Sequence, residues 1–225
     1  IMIKFGVLLG LLLIGVCSGE FCYNDVEAAC SPRPLTGDGT MLSCNAKYGA
    51  IDQLMVDLQS YANANIETSF EYLLMSTHFG NYETNREGFK GLYRKMSDRA
   101  WENAIDIIKF ITKRGGKMDF NQLPRFKRTG KEQRVVELSE ISSLAKALDT
   151  EKQMADEAIR VHGQAQHHAK LDSSVAHYME EQFMEPQAET VRTLAGHTND
   201  LKRLLGDNDA SLSIFMFDEY LKKTL

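Results

Sequence analysis

Apolar residues recur at steps of three and four along most of this chain, the spacing of one helical face. From Ala46 to Phe79 the residues Leu54, Leu58, Tyr61, Asn65, Ser69 and Tyr72 fall on one stripe, and Gly80 and Asn81 end it. A second segment, Thr84 to Arg114, aligns Phe89, Leu92, Met96, Ala100, Asn103, Ile107 and Ile111. Gly115 and Gly116 then stop it with a left-handed cap. The third segment, Glu132 to His168, keeps Leu138, Ile141, Leu144, Leu148, Glu151, Ala155 and Ala158 in phase. The fourth runs from Asp172 to Leu205 and ends at Gly206. Pro186 interrupts its hydrogen bonding and disturbs its phase, so no stripe is assigned there. A short fifth helix spans Asp209 to Lys223, with Asp209 as its N-cap.

Helices of roughly 30 residues are about 45 Å long. Such lengths gain their stability by packing lengthwise on one another. Short turns between the first and second, and between the third and fourth, make antiparallel neighbours. The link Gly115 to Lys131, which contains Pro124, is long enough to cross a bundle end to end. The pattern predicts an all-α, antiparallel four-helix bundle with a long crossover and a short fifth C-terminal helix.

The N-terminus breaks this pattern. Lys4 precedes an apolar run from Phe5 to Val16, followed by the small residues Cys17, Ser18 and Gly19. A basic start, an apolar core and a small-residue site read as a secretory signal peptide over residues 1–19. The run is too short for the roughly 20 apolar residues of a spanning helix. Residues 20–45 form a cysteine-bearing extension, and 46–225 form the helical domain. After loss of Cys17, the cysteines are Cys22, Cys30 and Cys44. In an oxidising compartment one internal bridge among three leaves one thiol for another chain. Their spacing does not say which.

Composition narrows the classes. Hydrophobic residues at 43% and charged residues at 25% exclude a chain disordered throughout. With 26 Lys and Arg against 31 Asp and Glu, a net charge of −5 disfavours general nucleic-acid binding.

Several stretches carry a family resemblance. EYLLMSTHF (Glu71 to Phe79) resembles the end of the first helix of ferritins, and ITKRGGKM (Ile111 to Met118) the end of the second. HYMEEQ (His177 to Gln182) resembles their fourth helix, and LAGHTNDLKRL (Leu194 to Leu204) its end. SIFMFDEYL (Ser213 to Leu221) looks like the short fifth helix. With its signal peptide and cysteine extension, the chain looks like the light-chain homologue of secreted insect-type ferritins. The resemblance implies a 24-subunit shell holding ferric mineral, in which light and heavy subunits co-assemble and disulfides join them. The signal peptide directs the chain to the secretory pathway, to be secreted or stored in endoplasmic reticulum or Golgi vesicles, and the net charge and the lack of a later long apolar stretch lead to the expectation of no nucleic-acid and no membrane partner.

An iron-oxidising centre needs inward carboxylates and imidazoles, and ferritin-like centres use a Glu-x-x-His step. This chain contains none. Carried over from the family, the first-helix glutamate falls on Asn65, and the second-helix glutamate and histidine on Ala100 and Asn103. Tyr72 and Gln182 keep their family positions, and Glu151 takes that of the third-helix glutamate. The implied subunit has no complete ferroxidase centre, only the remnants Tyr72, Glu151 and Gln182, read as an interior polar network with Asn65 and Asn103. The acidic pair of the family's three-fold pore becomes Asp172 and Val175. Light-type subunits of vertebrates carry an acidic nucleating patch. The corresponding stretch here, Gly91 to Glu102, holds Arg94, Lys95 and Arg99 against Asp98 and Glu102.

Other candidates read as structural. His162, His167 and His168 read as a polar helix end, and Trp101 as packing. The basic residues Lys113, Arg114, Lys117, Arg125, Lys127, Arg128 and Lys131 read as a solvated loop. Two rival functions follow: a ferroxidase rearranged around Glu67, Glu71, Glu151 and Glu181, or an extracellular helical binding protein that builds no shell.

Overall fold

A computed structural model describes residues 22, 26, 44–125, 136–167, 171–207 and 209–224. The chain divides into two compact units, Ile1–Asn45 and Ala46–Leu225. In the first, a disulfide joins Cys22 to Cys44 with the Cα atoms 4.4 Å apart. The signal-peptide stretch, Cys30, Lys127, Arg128, Lys131 and His168 lie outside the described residues.

The second unit is helical throughout its regular elements. Helix α1 spans Ile51–Phe79, α2 Glu87–Lys113 and α3 Glu140–His167. Helix α4 is one run in three stretches: Ser173–Met179, a π-helical turn Glu180–Met184, and Glu185–Asp207. The C-terminal α5 spans Ala210–Thr224. Tyr72 stacks with Tyr93 and Phe79 with Phe89, so α2 runs back along α1. Glu151 meets Gln187, and Ala165 meets Asp172, so α4 runs back along α3. Asp57 pairs with Arg160, and His78 reaches the carbonyl of Leu138, which sets α3 antiparallel to α1. The crossover from α2 to α3 therefore travels the length of the bundle.

That crossover is fastened by polar residues of α1. Gln59 Nε2 donates to the Lys117 carbonyl at 2.8 Å. Asn63 Nδ2 donates to the carbonyls of Asp119 and Gln122 at 3.0 and 2.7 Å, and Ser60 Oγ to that of Leu123 at 3.1 Å. These polar side chains are buried because a loop covers them and supplies acceptors.

Helix ends follow local chemistry. At the α2 end, the Gly115 amide bonds the Thr112 carbonyl and the Gly116 amide that of Ile111, with Gly115 at φ +77°. This is the expected left-handed cap. A Cβ at Gly115 would lie 3.0 Å from the Ala46 carbonyl carbon. Gly115→Ala is expected to cost about 1–2 kcal/mol, since a left-handed backbone penalises an L side chain. Thermal melting at fixed protein concentration checks it. Asp209 Oδ1 accepts from the Leu212 amide at 3.0 Å, the N-cap anticipated for α5.

Three segments begin later than their periodicity suggests. Residues 46–50 are not helical, because Gly49 takes φ +68° and the Ala50 amide is held by Asp172 Oδ2 at 3.1 Å. Asn81 Oδ1 accepts from the amides of Glu83 and Thr84, both at 2.8 Å, so a side-chain-closed turn delays α2 to Glu87. Ser139 caps α3 through Ser142, so Leu138 leaves the stripe and is exposed.

Pro186 acts through the turn before it. Proline has no N–H to donate to the Gln182 carbonyl one α-turn back, and its ring crowds that carbonyl. The π turn widens this step, with the Glu185 amide bonding Glu180 five residues earlier. The extra residue rotates every later side chain relative to the first stretch of α4. Val175, Met179 and Phe183 up to the turn, and Gln187, Leu194 and Leu201 beyond it, make up the buried face.

The apolar core is in two parts. One holds Leu54, Leu58, Tyr61, Ile107, Ile111, Met154, Val161 and Met179. The other holds Tyr72, Phe79, Phe89, Tyr93, Leu144, Leu194, Phe217 and Leu221. Where the two parts meet, the bundle interior is polar.

Candidate functional site

The polar layer draws on all four long helices. From α1 come Asn65, Ser69 and Tyr72; from α2, Ser97, Arg99 and Ala100; from α3, Glu151; from α4, Gln187 and Thr190. Glu151 is its centre, with its side chain only 5% exposed. Tyr72 Oη donates to Glu151 Oε1 at 2.8 Å. Arg99 Nη2 donates to Oε2 at 3.1 Å. Gln187 Nε2 donates both to Oε2 and, at 3.0 Å, to the Glu151 carbonyl. The other Arg99 terminal nitrogen bonds Thr190 Oγ1. Beside this group, Ser69 and Ser97 share hydroxyl contacts, with Ser97 Oγ donating to the Ser69 carbonyl at 2.8 Å.

Charge in this layer is balanced within the chain. The guanidinium answers the Glu151 carboxylate, and both carboxylate oxygens already accept hydrogen bonds. Burial first, and the Glu151 charge second, hold the hydroxyls of Tyr61 and Tyr72 protonated far above the usual phenol range. Arg99 thus already stands beside Glu151 as a positive charge from within the chain. Among the described residues, no group of three His, Cys, Asp or Glu side chains is placed to hold a metal ion.

The sequence-predicted residues are sorted by this geometry. Asn65, Ala100 and Glu151 are buried, while Asn103 is half-buried and Ala104 takes the inward place. Neither asparagine joins the Glu151 group; Asn65 Nδ2 donates to the Tyr61 carbonyl of its own helix at 2.9 Å. Gln182, expected as an inward remnant, is exposed on the π turn. Gln187, four residues beyond the buried Phe183, stands in the site instead. The signal for it was present: Gln187, Leu194 and Leu201 are spaced by seven, a buried-face repeat readable backwards from the α4 end. Arg99 was also missed. It follows Met96 by three, so it sits at the edge of the α2 stripe and reaches in along its stem.

Asp172 and Val175, expected to line a pore, lie buried instead. Asp172 caps α4 by accepting from the Val175 amide at 3.2 Å. It also forms a two-bond pair with Arg114, at 3.2 and 2.8 Å. Arg114, expected in a solvated loop, is thus interior; its guanidinium lies 3.9 Å over the Tyr48 ring and donates to the Tyr48 carbonyl. Lys113, Lys117 and Arg125 are exposed.

The remaining candidates do not converge. His162 is half-buried against Gln166, 3.9 Å from Glu180, and His167 is exposed. Glu181 is exposed beside His177 on α4. Glu67 and Glu71 line a groove between α1 and α2 with Phe70, Leu74 and Trp101. The four acids of the rearranged-ferroxidase reading are not gathered into one site.

With this geometry in place, relatives can be compared. The ferritin-like domain model matches residues 57–204. The chain belongs to the ferritin family. It is 43% identical to a ferritin light chain of Trichoplusia ni over 224 residues, covering 96% of this chain and 95% of that one. It is 46% identical to a ferritin light chain of Drosophila melanogaster, covering 91% and 90%. The crystal structure of Trichoplusia ni secreted ferritin superposes with a TM-score of 0.82 at 42% identity, covering 91% of this chain and 99% of that one. The bundle, crossover and short last helix are thus a ferritin fold, and the role of this ferritin is iron storage. No described helix is long and apolar enough to cross a membrane.

Proposed function

We propose that this ferritin is the light-type subunit of a secreted shell, storing ferric mineral without a ferroxidase centre of its own. The reading rests chiefly on Arg99. Its guanidinium neutralises Glu151 in the layer where the family's other ligand positions hold Asn65, Ala100 and Asn103. A permanently charged arginine serves the carboxylate as an internal cation, so the layer supports the bundle rather than catalysis. Tyr72 and Glu151 remain as structural relics, with Gln187 in the role assigned to Gln182.

In this reading, a heavy-type subunit oxidises Fe²⁺, and both types share a 24-subunit shell in the secretory pathway. Residues 1–19 direct the chain there, and the 20–45 extension carries the cysteines. With Cys22 and Cys44 bridged, Cys30 is the thiol left to tether the heavy partner. Replacing Cys30 with serine is then expected to abolish the inter-subunit disulfide on non-reducing gels.

The main test uses the mature chain purified without a heavy partner. Fe²⁺ is added in air at neutral pH, and ferric absorbance is followed beside a protein-free control. The expected rate equals the control. A faster rate that saturates at a fixed iron-to-chain ratio would overturn the reading, with Glu151 the first residue to replace.

A further inference from the structure

Helix α2 begins without help from its own sequence. Its N-cap residue, Arg86, contributes no side-chain acceptor, although the first amides of any helix need acceptors from outside. The acceptor comes from the other end of the chain. Asp218, buried on α5, takes the Phe89 amide on Oδ1 at 3.0 Å, with Gly88 packed directly against it. A carboxylate at a helix N-terminus also meets the positive end of the helix dipole.

The approach is close enough to restrict the sequence. A Cβ at Gly88 would lie 2.1 Å from the Asp218 carbonyl oxygen, so only glycine lets α5 settle there. Phe217 and Leu221 enter the core on either side of Asp218, with the Phe217 ring 5.8 Å from that of Phe89. At its far end, α5 is tied to α4 by Ser213 Oγ, which donates to the Leu204 carbonyl at 2.9 Å.

We propose that α5 is a clasp: its docking through Asp218 onto Gly88 and Phe89 completes the start of α2, so the C-terminal helix and the α1–α2 turn open and close together. Undocking removes the cap as well as Phe217 and Leu221, and the first turn of α2 frays. Asp218 is a positioning residue for both elements. The inference concerns the single chain and does not depend on the absence of a ferroxidase centre.

Hydrogen exchange followed by mass spectrometry on the full chain tests this, using peptides from α1, from the start of α2 and from α5. Asp218→Ala is expected to raise exchange roughly five- to tenfold in both residues 88–92 and residues 211–221, the range of a lost N-cap. Residues 51–70 stay as in the parent. Asp218→Asn keeps an accepting oxygen and is expected to stay near the parent rate in both regions. Ser213→Ala gives a second route, because it loosens α5 without touching α2, yet should speed exchange at the Phe89 amide. The proposal is overturned if either alanine variant frees α5 while the start of α2 keeps its protection. It is also overturned if Asp218→Asn behaves like Asp218→Ala.

Discussion

Asp172→Ala is expected to destabilise the folded chain by about 3–5 kcal/mol, the cost of breaking a buried ion pair from one side. The pair is closed to solvent, with both side chains 3% exposed. Alanine would leave the Arg114 guanidinium buried with the Tyr48 carbonyl and the Tyr48 and Phe110 rings, but no counter-charge from Asp172, to face it. It would also strip the cap from α4 and the acceptor from the Ala50 amide. Asp172→Asn keeps one acceptor for the Val175 amide and should lose less. Arg114→Met with Asp172→Leu removes both charges and should recover much of the loss.

The same pair carries a pH dependence with a defined sign. Burial pushes the Asp172 carboxyl up, but hydrogen bonds from Arg114, Val175 and Ala50 outweigh it and hold the group below the ordinary aspartate value of 3.8. A lowered folded pKa means stability present above the unfolded pKa and lost as pH falls through the folded one. The gap between parent and Asp172→Ala should therefore be full at neutral pH and shrink only below about pH 4. Chemical denaturation at fixed protein concentration across that range measures it. A constant gap would refute the pair as its source.

Arg99→Ala should cost about 2–3 kcal/mol, less than the loss at Asp172. The physical difference is solvent. The Arg99 side chain is 34% exposed, so water can replace part of what the guanidinium supplies to Glu151. Glu151 itself is buried and would keep only Tyr72 and Gln187 as donors. A double-mutant cycle with Glu151→Ala isolates the pair. The two losses should overlap by about 1–3 kcal/mol, as expected for groups in one hydrogen-bonded cluster. Strict additivity would mean that the guanidinium does not serve as the internal counter-charge.

Particular residues show how far the sequence reaches. The stripe Leu54, Leu58, Tyr61, Asn65, Ser69 and Tyr72 is buried along its whole length. Helical geometry places such residues on one side whatever packs against them. Gly115 and Asp209 act locally, so their caps were legible as well. On α3 the phase slipped: Ala147, Met154 and Val161 are buried, while Leu148 and Ala155 are only partly so. Alanine is cheap to bury and ambiguous to read, so a stripe through alanines is weakly set by sequence.

Long polar side chains were less legible. Spacing placed Glu151 inside, but nothing in the spacing of α2 said that Arg99 would turn toward it. Arg114 and Asp172 are 58 residues apart in sequence. Each alone reads as a charge at a helix end beside a loop. Only when the end of α2 meets the start of α4 does their pairing become the cheapest way to bury either.

The sequence by itself determined the number of long helices, their order and the capped ends. These properties depend on residues within a turn or two of each other. Tertiary structure alone decided that a guanidinium faces Glu151, that Gln187 rather than Gln182 stands beside it, and that Asp172 is spent on Arg114. Each depends on where an element from elsewhere in the chain comes to rest. A buried charge takes whatever partner the packing brings within reach.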